Sequence, residues 1–315
     1  MNYQTETNNL FLEQKTNWPL LTSNVEGLKN VRLKTFAYNG FQVNVQYNPK
    51  RITSSAAKVD KASIEARKCF LCAANRPNEQ RSVAFENTYE ILCNPFPIFP
   101  EHYTIAHKEH IPQEIKHSFA DMLALSKALP DLVFFYNAPN CGASAPDHLH
   151  FQAGNTGFLP IEDEFGTLKT NFGKPIIKKP GLEVTSINDG MRKMLVLESA
   201  EKHSLIKTFE PCYEFTSRLA QNEEPMLNIL CWYSNAWRVI IFPREKHRPW
   251  QYFEEGEKNI LLSPASVDFG GTLITPMEKD FTKINREDIS DIMQQLTLSD
   301  KHFEELTDYL KTNIK

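Results

Sequence analysis

The sequence predicts an α+β protein built on an antiparallel sheet with flanking helices. Residues 41–47 alternate between apolar and polar side chains, as the residues of a half-buried strand do. Residues 226–233 and 237–242 are β-rich runs separated by three turn-forming residues, a pattern typical of a hairpin between antiparallel strands. Apolar side chains spaced along residues 115–129 fall on one face of a helix.

Further elements follow along the chain. The first 30 residues are polar and weakly patterned, and they predict no element of their own. The helix over residues 115–129 should end near Pro130, because proline cannot continue a helix. Residues 288–315 carry a helical pattern. Short β-rich runs predict the remaining strands, at residues 88–93, 103–106, 132–136, 148–152 and 194–197.

Turn-forming residues concentrate between residues 155 and 190, where eight glycines and prolines lie. We therefore expect a linker or a long loop over residues 161–189. It would separate an N-terminal half, residues 1–160, from a C-terminal half, residues 190–315.

A second observation bears on the two halves. Residues 103–112 resemble residues 238–249, since in both a β-branched strand runs into a charged turn with a histidine two residues before a proline. The similarity indicates two related halves, and the alternative is a chance match over a short segment.

Size and charge exclude several classes of protein. At about 100–200 residues per domain, 315 residues allow two modest domains or one large one. Hydrophobic residues make up 41% and charged residues 23%, which excludes wholesale disorder. A net charge of -4 gives no support for a general nucleic-acid binder. The first twenty residues lack the basic start and apolar core of a secretory signal, and no apolar run is long enough to span a bilayer, so a cytoplasmic location is expected.

The strongest chemical motif is the run from His148 to Gln152, with the sequence HLHFQ. On a strand, side chains alternate between the two faces, so His148, His150 and Gln152 would share one face. Two imidazoles and a carboxamide suit a nucleophile, a supporting group and a donor to an oxyanion. The alternatives are a metal-binding histidine pair and two unrelated surface histidines.

Cys69 and Cys72 form a Cys-x-x-Cys pair, which is a standard half-site for zinc. The six cysteines of the chain read as reduced thiols, metal ligands or core residues rather than as disulfides. No βαβ pattern surrounds the pair, which argues against a thioredoxin-like redox role. Further zinc ligands would come from His107, His110 or His148, and the alternative is two partly buried cysteines without a metal.

Basic side chains cluster in one predicted turn, at Arg244, Lys246, His247 and Arg248. The cluster is either an anion clamp or a solvated turn. Arg51, which follows the strand at residues 41–47, is a similar single candidate, because a guanidinium suits bidentate contact to phosphate.

Three segments together carry a resemblance to a known family. Residues 69–77 resemble the zinc motif of the uridylyltransferases, residues 94–110 the Asn-Pro…Pro…His segment of the histidine-triad superfamily, and residues 142–152 the signature of its transferase and phosphorylase branch. That branch contains galactose-1-phosphate uridylyltransferase, diadenosine tetraphosphate phosphorylase and GDP-hexose phosphorylase. The HLHFQ run is most similar to the last of these. The resemblance is good over about residues 40–155 and loose elsewhere.

The resemblance implies a fold and a mechanism. The fold would consist of two histidine-triad-like halves of the uridylyltransferase type, the C-terminal one degenerate because it has no second histidine signature. In the family, the histidine that matches His150 attacks the α-phosphorus of a nucleotide anhydride and forms a nucleotidyl-histidine. The residue that matches Gln152 hydrogen-bonds the phosphoryl oxygens. A third histidine in its place is typical of the hydrolases, so transfer or phosphorolysis is favoured here.

The resemblance also implies further site residues. Ser144 and Asn94 would contact substrate, with Arg51, Arg244 and Lys246 as basic candidates. Ser144 lies four residues before His148 where the family usually has three, which puts its role in question. A structural zinc ion would be held by four ligands, namely Cys69, Cys72, His110 and His148.

We therefore expect a nucleotidyltransferase, of the phosphorylase or uridylyltransferase type, that acts on a nucleotide sugar, with a GDP-hexose favoured. The alternatives are a hexose-1-phosphate uridylyltransferase, a dinucleoside polyphosphate phosphorylase and a nucleotide-binding protein without turnover. The expected partners are a nucleotide sugar or dinucleotide with phosphate or a sugar phosphate. Nucleic acid and membrane are not expected, and a homodimer is an open alternative.

Overall fold

The computed structural model describes residues 2–52, 60–221 and 223–314. Its strands are β1 (Arg32–Ala37), β2 (Gln42–Tyr47), β3 (Ser82–Phe85), β4 (Tyr89–Cys93), β5 (His102–His107), β6 (Leu132–Asn137), β7 (His150–Asn155), β8 (Gly173–Lys179), β9 (Leu182–Asn188), β10 (Lys193–Ser199), β11 (Leu227–Ser234), β12 (Ala236–Pro243) and β13 (Thr272–Thr275). Its helices are α1 (Tyr3–Asn17), α2 (Pro19–Gly27), α3 (Lys61–Glu65), α4 (Phe119–Ala128), α5 (Pro160–Phe172), α6 (Lys202–Leu219), α7 (Ser266–Phe269), α8 (Glu278–Lys283), α9 (Arg286–Leu296) and α10 (Asp300–Asn313).

Ten strands form one sheet, in the order β3-β4-β5-β7-β6-β11-β12-β10-β9-β8. Every pair of neighbours in this sheet is antiparallel. A smaller sheet has the order β1-β2-β13, and β13 runs parallel to β2. The predicted α+β class, with an antiparallel sheet and flanking helices, is confirmed.

The large sheet repeats one strand order twice. Counted from each outer edge, the five strands of either half follow the order first, second, third, fifth, fourth, and the two fourth strands, β6 and β11, pair at the centre. This repetition supports the predicted architecture of two related halves. The similarity between residues 103–112 and 238–249 does not reflect it, because β5 is a third strand and β12 a fifth. The two segments are alike only because many buried strands are rich in β-branched residues and end in a charged turn.

Residues 161–189 do not form a linker or a long loop, contrary to the expectation. They form nearly all of α5 and the strands β8 and β9. Their glycines and prolines mark the ends of short elements instead. Pro160 is at the start of α5, a register shift lies between Pro175 and Ile177 in β8, and Gly181 turns the chain with a φ of 79°. The division into residues 1–160 and 190–315 stays a prediction.

The N-terminal stretch contains α1 and α2, which the pattern did not predict. Only a narrow stripe of each helix is buried, including Leu10 and Phe11 of α1 and Leu21 of α2. Their ends do carry helix signals. The Asn2 side chain accepts a hydrogen bond from the backbone N–H of Thr5, and Pro19 begins α2.

The central strands of the large sheet are buried on both faces, which explains their continuous apolar runs. In β6, Phe134 and Tyr136 join one apolar cluster, with residues of α1, α2, α4, α6 and α10. Val133 and Phe135 join the other cluster, with residues of α5, α7, α8, α9 and the small sheet.

Three predicted elements differ in extent. The helix expected over residues 115–129 begins at Phe119 and ends before Pro130, and the C-terminal helical pattern is split between α9 and α10. The predicted strand at residues 148–152 begins only at His150, so His148 precedes β7. No helix among the described residues has both the length and the apolar character needed to cross a bilayer.

Candidate functional site

A cavity of about 450 Å³ is lined by residues of both halves of the chain. Its volume falls in the range of small-molecule sites. Of the predicted site residues, it is lined by Arg51, Asn94, Ser144, His150 and Gln152, together with His247 and Arg248 of the basic cluster. On β7, Phe151 and Ala153 join the apolar cluster of the opposite face, so alternation directs His150 and Gln152 toward the cavity.

The contacts of His150 determine which ring nitrogen can react. Its side chain is 3% exposed, and Nδ1 lies 2.8 Å from the backbone carbonyl oxygen of His148. Because a carbonyl oxygen only accepts hydrogen bonds, Nδ1 carries the proton and Nε2 keeps its lone pair. Burial lowers the pKa of His150 to about 4, which keeps the ring neutral near pH 7. A neutral imidazole with a free Nε2 is a competent nucleophile.

Gln113 fixes the backbone of His150. Its Oε1 accepts from the His150 N–H at 2.7 Å, and its Nε2 donates to the His150 carbonyl at 3.0 Å. Nε2 also donates to the carbonyl of Asn137 at 3.0 Å, and the side chain is fully buried. Sequence reasoning missed Gln113, because nothing in its local pattern separates it from a surface glutamine.

His102, on the neighbouring strand β5, orients the carboxamide of Gln152. Ile98 donates its backbone N–H to His102 Nδ1 at 3.2 Å, so the ring proton is on Nε2, which donates to Gln152 Oε1 at 2.9 Å. Burial lowers the pKa of His102 to about 3. Asn94 Nδ2 lies 3.4 Å from the same oxygen. With Oε1 so engaged, the Gln152 NH₂ group is left to donate into the cavity.

Arg51, which is half-buried, and Asp268, which is buried, form a charged part of the cavity lining. An Nη1 of Arg51 donates to the carbonyl of Phe96, and burial lowers the pKa of Arg51 to about 10. The Asp268 carboxylate accepts from the backbone N–H groups of Ala265 and Ile274. Burial raises the pKa of Asp268 to about 6.

The structure divides the predicted basic cluster. Arg244 and Lys246 do not line the cavity, whereas His247 and Arg248 do. Arg244 is buried, and its nitrogens donate to Asn228 Oδ1 and to the carbonyls of Pro264, Lys246 and His247. Lys246 is exposed. Arg244 therefore stabilises the turn through buried hydrogen bonds to its backbone. A cluster of basic residues in the sequence does not predict this role.

A second cluster brings together Cys69, Cys72, His110 and His148, whose potential ligand atoms all lie within 4.8 Å of one another. Nδ1 of His148 is 3.3 Å from Sγ of Cys69 and 3.6 Å from Sγ of Cys72, and Nδ1 of His110 is 3.3 Å from Sγ of Cys72. Tetrahedral Zn²⁺ places sulfur and nitrogen ligands about 3.6 Å apart. The donor set and its spacing fit zinc.

The surroundings of this cluster favour metal binding. Nε2 of His148 donates to the backbone carbonyl of His107 at 2.7 Å, which leaves Nδ1 as the ligand atom. Asp147 lies 3.7 Å from Nε2 of His110 and accepts a hydrogen bond from Arg67. Burial raises the pKa of Cys69, but the hydrogen bonds with His148 and with the backbone of Leu71 and Cys72 together outweigh burial and bring the pKa to about 6. His107, which was also a candidate ligand, contributes its backbone carbonyl as the partner of His148 and is not one of the four potential ligands.

His148 is therefore separated from His150 in role as well as in space. It belongs to the cysteine–histidine cluster and does not line the cavity, contrary to the expected shared strand face. Four protein ligands would leave a bound zinc ion no open position, so it would supply a structural cross-link. Phe70, Leu71 and Asn75, from the loop that carries the cysteines, line the cavity, so the cross-link would hold one cavity wall.

Comparison with known proteins covers both halves. Residues 10–155 match a family model described as a domain of unknown function (DUF4922), and residues 168–315 match one described as GDPGP1-like, C-terminal domain. Galactose-1-phosphate uridylyltransferase of Staphylococcus saprophyticus is 30% identical over 146 residues, which cover 38% of this chain and 29% of that protein. The match spans less than a third of the length of that relative.

The crystal structure of yeast Ap4A phosphorylase in complex with AMP superposes with a TM-score of 0.64 at 15% identity, over 94% of this chain and 96% of that one. Its complex with Ap4A gives the same TM-score and identity, over 97% of that chain. At this identity the match shows a shared fold. Together, these matches support the resemblance to the histidine-triad superfamily that the sequence motifs indicate. The branch that they support contains galactose-1-phosphate uridylyltransferase, diadenosine tetraphosphate phosphorylase and GDP-hexose phosphorylase.

The chain has one copy of the histidine signature. The strand that corresponds to β7 in the C-terminal half is β12, and its sequence, AWRVIIFP, contains no histidine. The cavity around His150 is therefore the candidate reaction centre, and the C-terminal half contributes to its walls.

Proposed function

We propose that this protein is a nucleotidyltransferase that phosphorolyses a nucleotide sugar through a covalent nucleotidyl-His150 intermediate. The observation that carries the proposal is the tautomer of His150. Its Nδ1 proton is held by the His148 carbonyl, and Nε2 keeps a lone pair in a cavity of substrate size.

The reaction consists of two displacements at the α-phosphorus. Nε2 of His150 forms a bond to that phosphorus, and the bond to the bridging oxygen breaks, so the sugar phosphate leaves with the electron pair. An oxygen of inorganic phosphate then bonds to the same phosphorus, and the N–P bond breaks with its pair returning to Nε2. The products are a hexose-1-phosphate and a nucleoside diphosphate.

Three polar groups support these steps. The His148 carbonyl accepts from Nδ1–H throughout and stabilises the positive charge that develops on the ring. The Gln152 NH₂ group, oriented by His102, donates to the phosphoryl oxygens as negative charge accumulates on them. A glutamine at this position offers no proton-transfer group to activate water, which favours transfer over hydrolysis.

For the donor we propose a GDP-hexose. The C-terminal half matches the GDPGP1-like model, and the HLHFQ motif is most similar to that of the GDP-hexose phosphorylases. The match to galactose-1-phosphate uridylyltransferase favours UDP-glucose as a second candidate, and the fold shared with Ap4A phosphorylase favours a dinucleoside polyphosphate. We propose a structural zinc ion at Cys69, Cys72, His110 and His148.

A panel of three reactions tests the substrate. The purified protein is incubated with GDP-hexose and phosphate, with UDP-glucose and galactose-1-phosphate, or with diadenosine tetraphosphate and phosphate. We expect the first mixture to release hexose-1-phosphate and GDP fastest. Faster turnover in either other mixture assigns the donor to that class, and turnover in none refutes the proposed activity.

Trapping tests the mechanism independently of the acceptor. Incubation with GDP-hexose labelled in the α-phosphate, without phosphate, should give an acid-labile protein adduct. His150→Ala should form none, while His203→Ala, a substitution of an exposed histidine on α6, should form the wild-type amount. An equal adduct in the His150→Ala protein, with its fold verified by circular dichroism, would exclude His150 as the nucleophile.

A further inference from the structure

The C-terminal half contributes one cation to the cavity that the proposed steps at His150 do not use. The positively charged side chains that line the cavity, within the described part of the chain, are Arg51 and Arg248. Arg51 is engaged with the Phe96 carbonyl and lies near the buried Asp268 carboxylate. Arg248 comes from the other half and has a different environment.

Arg248 is oriented but not neutralised. Its Nε donates to Oγ of Ser263 at 3.2 Å, and its guanidinium carbon lies 4.1 Å from the ring centroid of Tyr252. No carboxylate in residues 2–52, 60–221 or 223–314 lies within ion-pair distance of it, and neither Nη nitrogen has a hydrogen-bond partner there. Held at its Nε edge and stacked on one face, this guanidinium presents two donors in the geometry that binds an oxyanion bidentately.

Buried contacts fix the segments that carry this side chain. Arg244 donates to the carbonyl of His247, immediately before Arg248, and to that of Pro264, immediately after Ser263. One buried guanidinium therefore ties both segments together. A preorganised donor of this kind loses little entropy when an anion binds.

Double displacement requires a place for two phosphates in turn. The leaving phosphate departs from the side of the α-phosphorus opposite Nε2 of His150, and the accepting phosphate enters from that same side. In the first displacement the bridging P–O bond breaks as the N–P bond forms, and in the second the new P–O bond forms as the N–P bond breaks. Both phosphates carry negative charge next to the reacting centre.

We propose that Arg248, with Ser263, forms a phosphate subsite that is used twice, first by the phosphate of the departing hexose-1-phosphate and then by the inorganic phosphate that accepts the nucleotidyl group. The assignment rests on the proposed function and gives the C-terminal half a direct part in the reaction. Arg248 would bind substrate, and Arg244 would position the Arg248 side chain.

The test measures binding to the free protein, which requires no turnover. Orthophosphate and glucose-1-phosphate are each titrated by isothermal calorimetry into the wild type, Arg248→Gln, Arg248→Lys and Lys258→Gln. Lys258 is an exposed cation of the same half that does not line the cavity, so its substitution controls for net charge. We expect Arg248→Gln to weaken both ligands by at least about tenfold, since a bidentate charge-assisted contact is lost. Arg248→Lys should lose less, and Lys258→Gln should bind as the wild type does.

The outcomes separate the two proposals. A loss for both ligands in Arg248→Gln supports the shared subsite, provided that its melting temperature matches that of the wild type. A loss for one ligand only, a loss for neither, an equal loss in Lys258→Gln, or no phosphate binding by the wild type overturns it. If Arg248→Gln is unstable, the Arg248→Lys and Ser263→Ala proteins decide, and wild-type affinities in both overturn the subsite. Failure of the wild type to form a His150 adduct refutes the proposed function without changing the binding result.

Discussion

At the scale of single residues, the proton on His102 decides which end of the Gln152 carboxamide faces the cavity. His102→Phe keeps an aromatic ring against Phe99 and Phe135 but removes the N–H that holds Gln152 Oε1. We expect kcat to fall about tenfold, with little change in the KM for the nucleotide sugar. The reason is that the Gln152 NH₂ group would no longer be held toward the negative charge that develops on the phosphoryl oxygens.

Gln152→Ala removes that donor altogether, so kcat should fall further, by about 10²–10³-fold. Steady-state kinetics with the best substrate of the panel measure both variants. A wild-type kcat in the His102→Phe protein would contradict this account of the carboxamide. So would a rise in KM with kcat unchanged, which would indicate a contact with the bound substrate instead.

The same histidine should make the stability of the protein depend on pH. In the folded protein burial lowers the pKa of His102 to about 3, against the usual value of 6.5 in the unfolded chain. Below pH 6.5 the unfolded chain therefore binds a proton that the folded chain does not, and the free energy of unfolding falls as the pH is lowered from about 6.5 toward 3. The loss is roughly 1.4 kcal/mol per pH unit.

His102→Phe removes this dependence. Urea unfolding at pH 7.5 and pH 5 should show the variant gaining about 2 kcal/mol relative to the wild type at the lower pH. A difference between the two proteins that does not change with pH would mean that His102 has the same pKa in the folded protein as in the unfolded chain. The comparison is internal, so other groups that titrate in both proteins cancel.

The sequence predicted the residues that carry their own local signal. His150 and Gln152 lie two positions apart on a strand, and alternation alone directs them to one face. His102 and Gln113 carry no such signal, because they meet Gln152 and His150 only through strand pairing and chain packing 50 and 37 positions away. The tautomer of His150 likewise depends on a backbone carbonyl, which no residue type encodes.

At the scale of elements, the loop that carries Cys69 and Cys72 is placed by side chains from two other segments. Chelation of a bound zinc ion would free this loop, and with it Phe70 and Leu71 in the cavity wall. Elemental analysis of the purified protein should find one zinc per chain. Removal of the metal should lower both the melting temperature and the affinity for nucleotide.

Cys72→Ser should lose the metal and reproduce these effects, because serine is a poor zinc ligand. His117→Ala, a substitution of an exposed histidine outside the cluster, is the matched control. Full zinc content in the Cys72→Ser protein would contradict the proposed ligand set. An unchanged nucleotide affinity after complete removal of zinc would show that the cavity wall formed by the cysteine loop keeps its structure without the metal.

Turn-forming residues were the least reliable guide to elements. Glycines and prolines between residues 155 and 190 mark the ends of α5, β8 and β9, so their density reflects short elements and not a missing one. In α1 and α2 the opposite error arises. Their exposed faces are polar enough to hide a narrow apolar stripe, and only the end signals at Asn2 and Pro19 remain visible.

At the scale of the whole molecule, two five-stranded halves share one sheet and one cavity. The sequence predicted two related halves from a family resemblance, but the strand order that relates them could not be read from residue patterns. Strand order depends on which edges meet, and a buried strand presents the same apolar run at any place in the sheet.

The shared sheet leads to a prediction about folding. β6 pairs with β11 along the centre, and each of the two apolar clusters contains residues from both halves, such as Phe134 with Ile229 and Phe135 with Leu230. β13, near the end of the chain, also pairs with β2 near its beginning. Neither half can therefore bury its apolar face alone, and the metal-loaded protein should unfold in one cooperative transition.

Two probes of different regions measure this cooperativity. Tryptophan fluorescence is measured in a Trp18→Phe variant, which leaves the three tryptophans of the C-terminal half, and far-ultraviolet circular dichroism reports on the whole chain. Their urea midpoints should coincide. Separate midpoints would show that the halves fold as independent domains, and a cavity built from both would then be free to open between them.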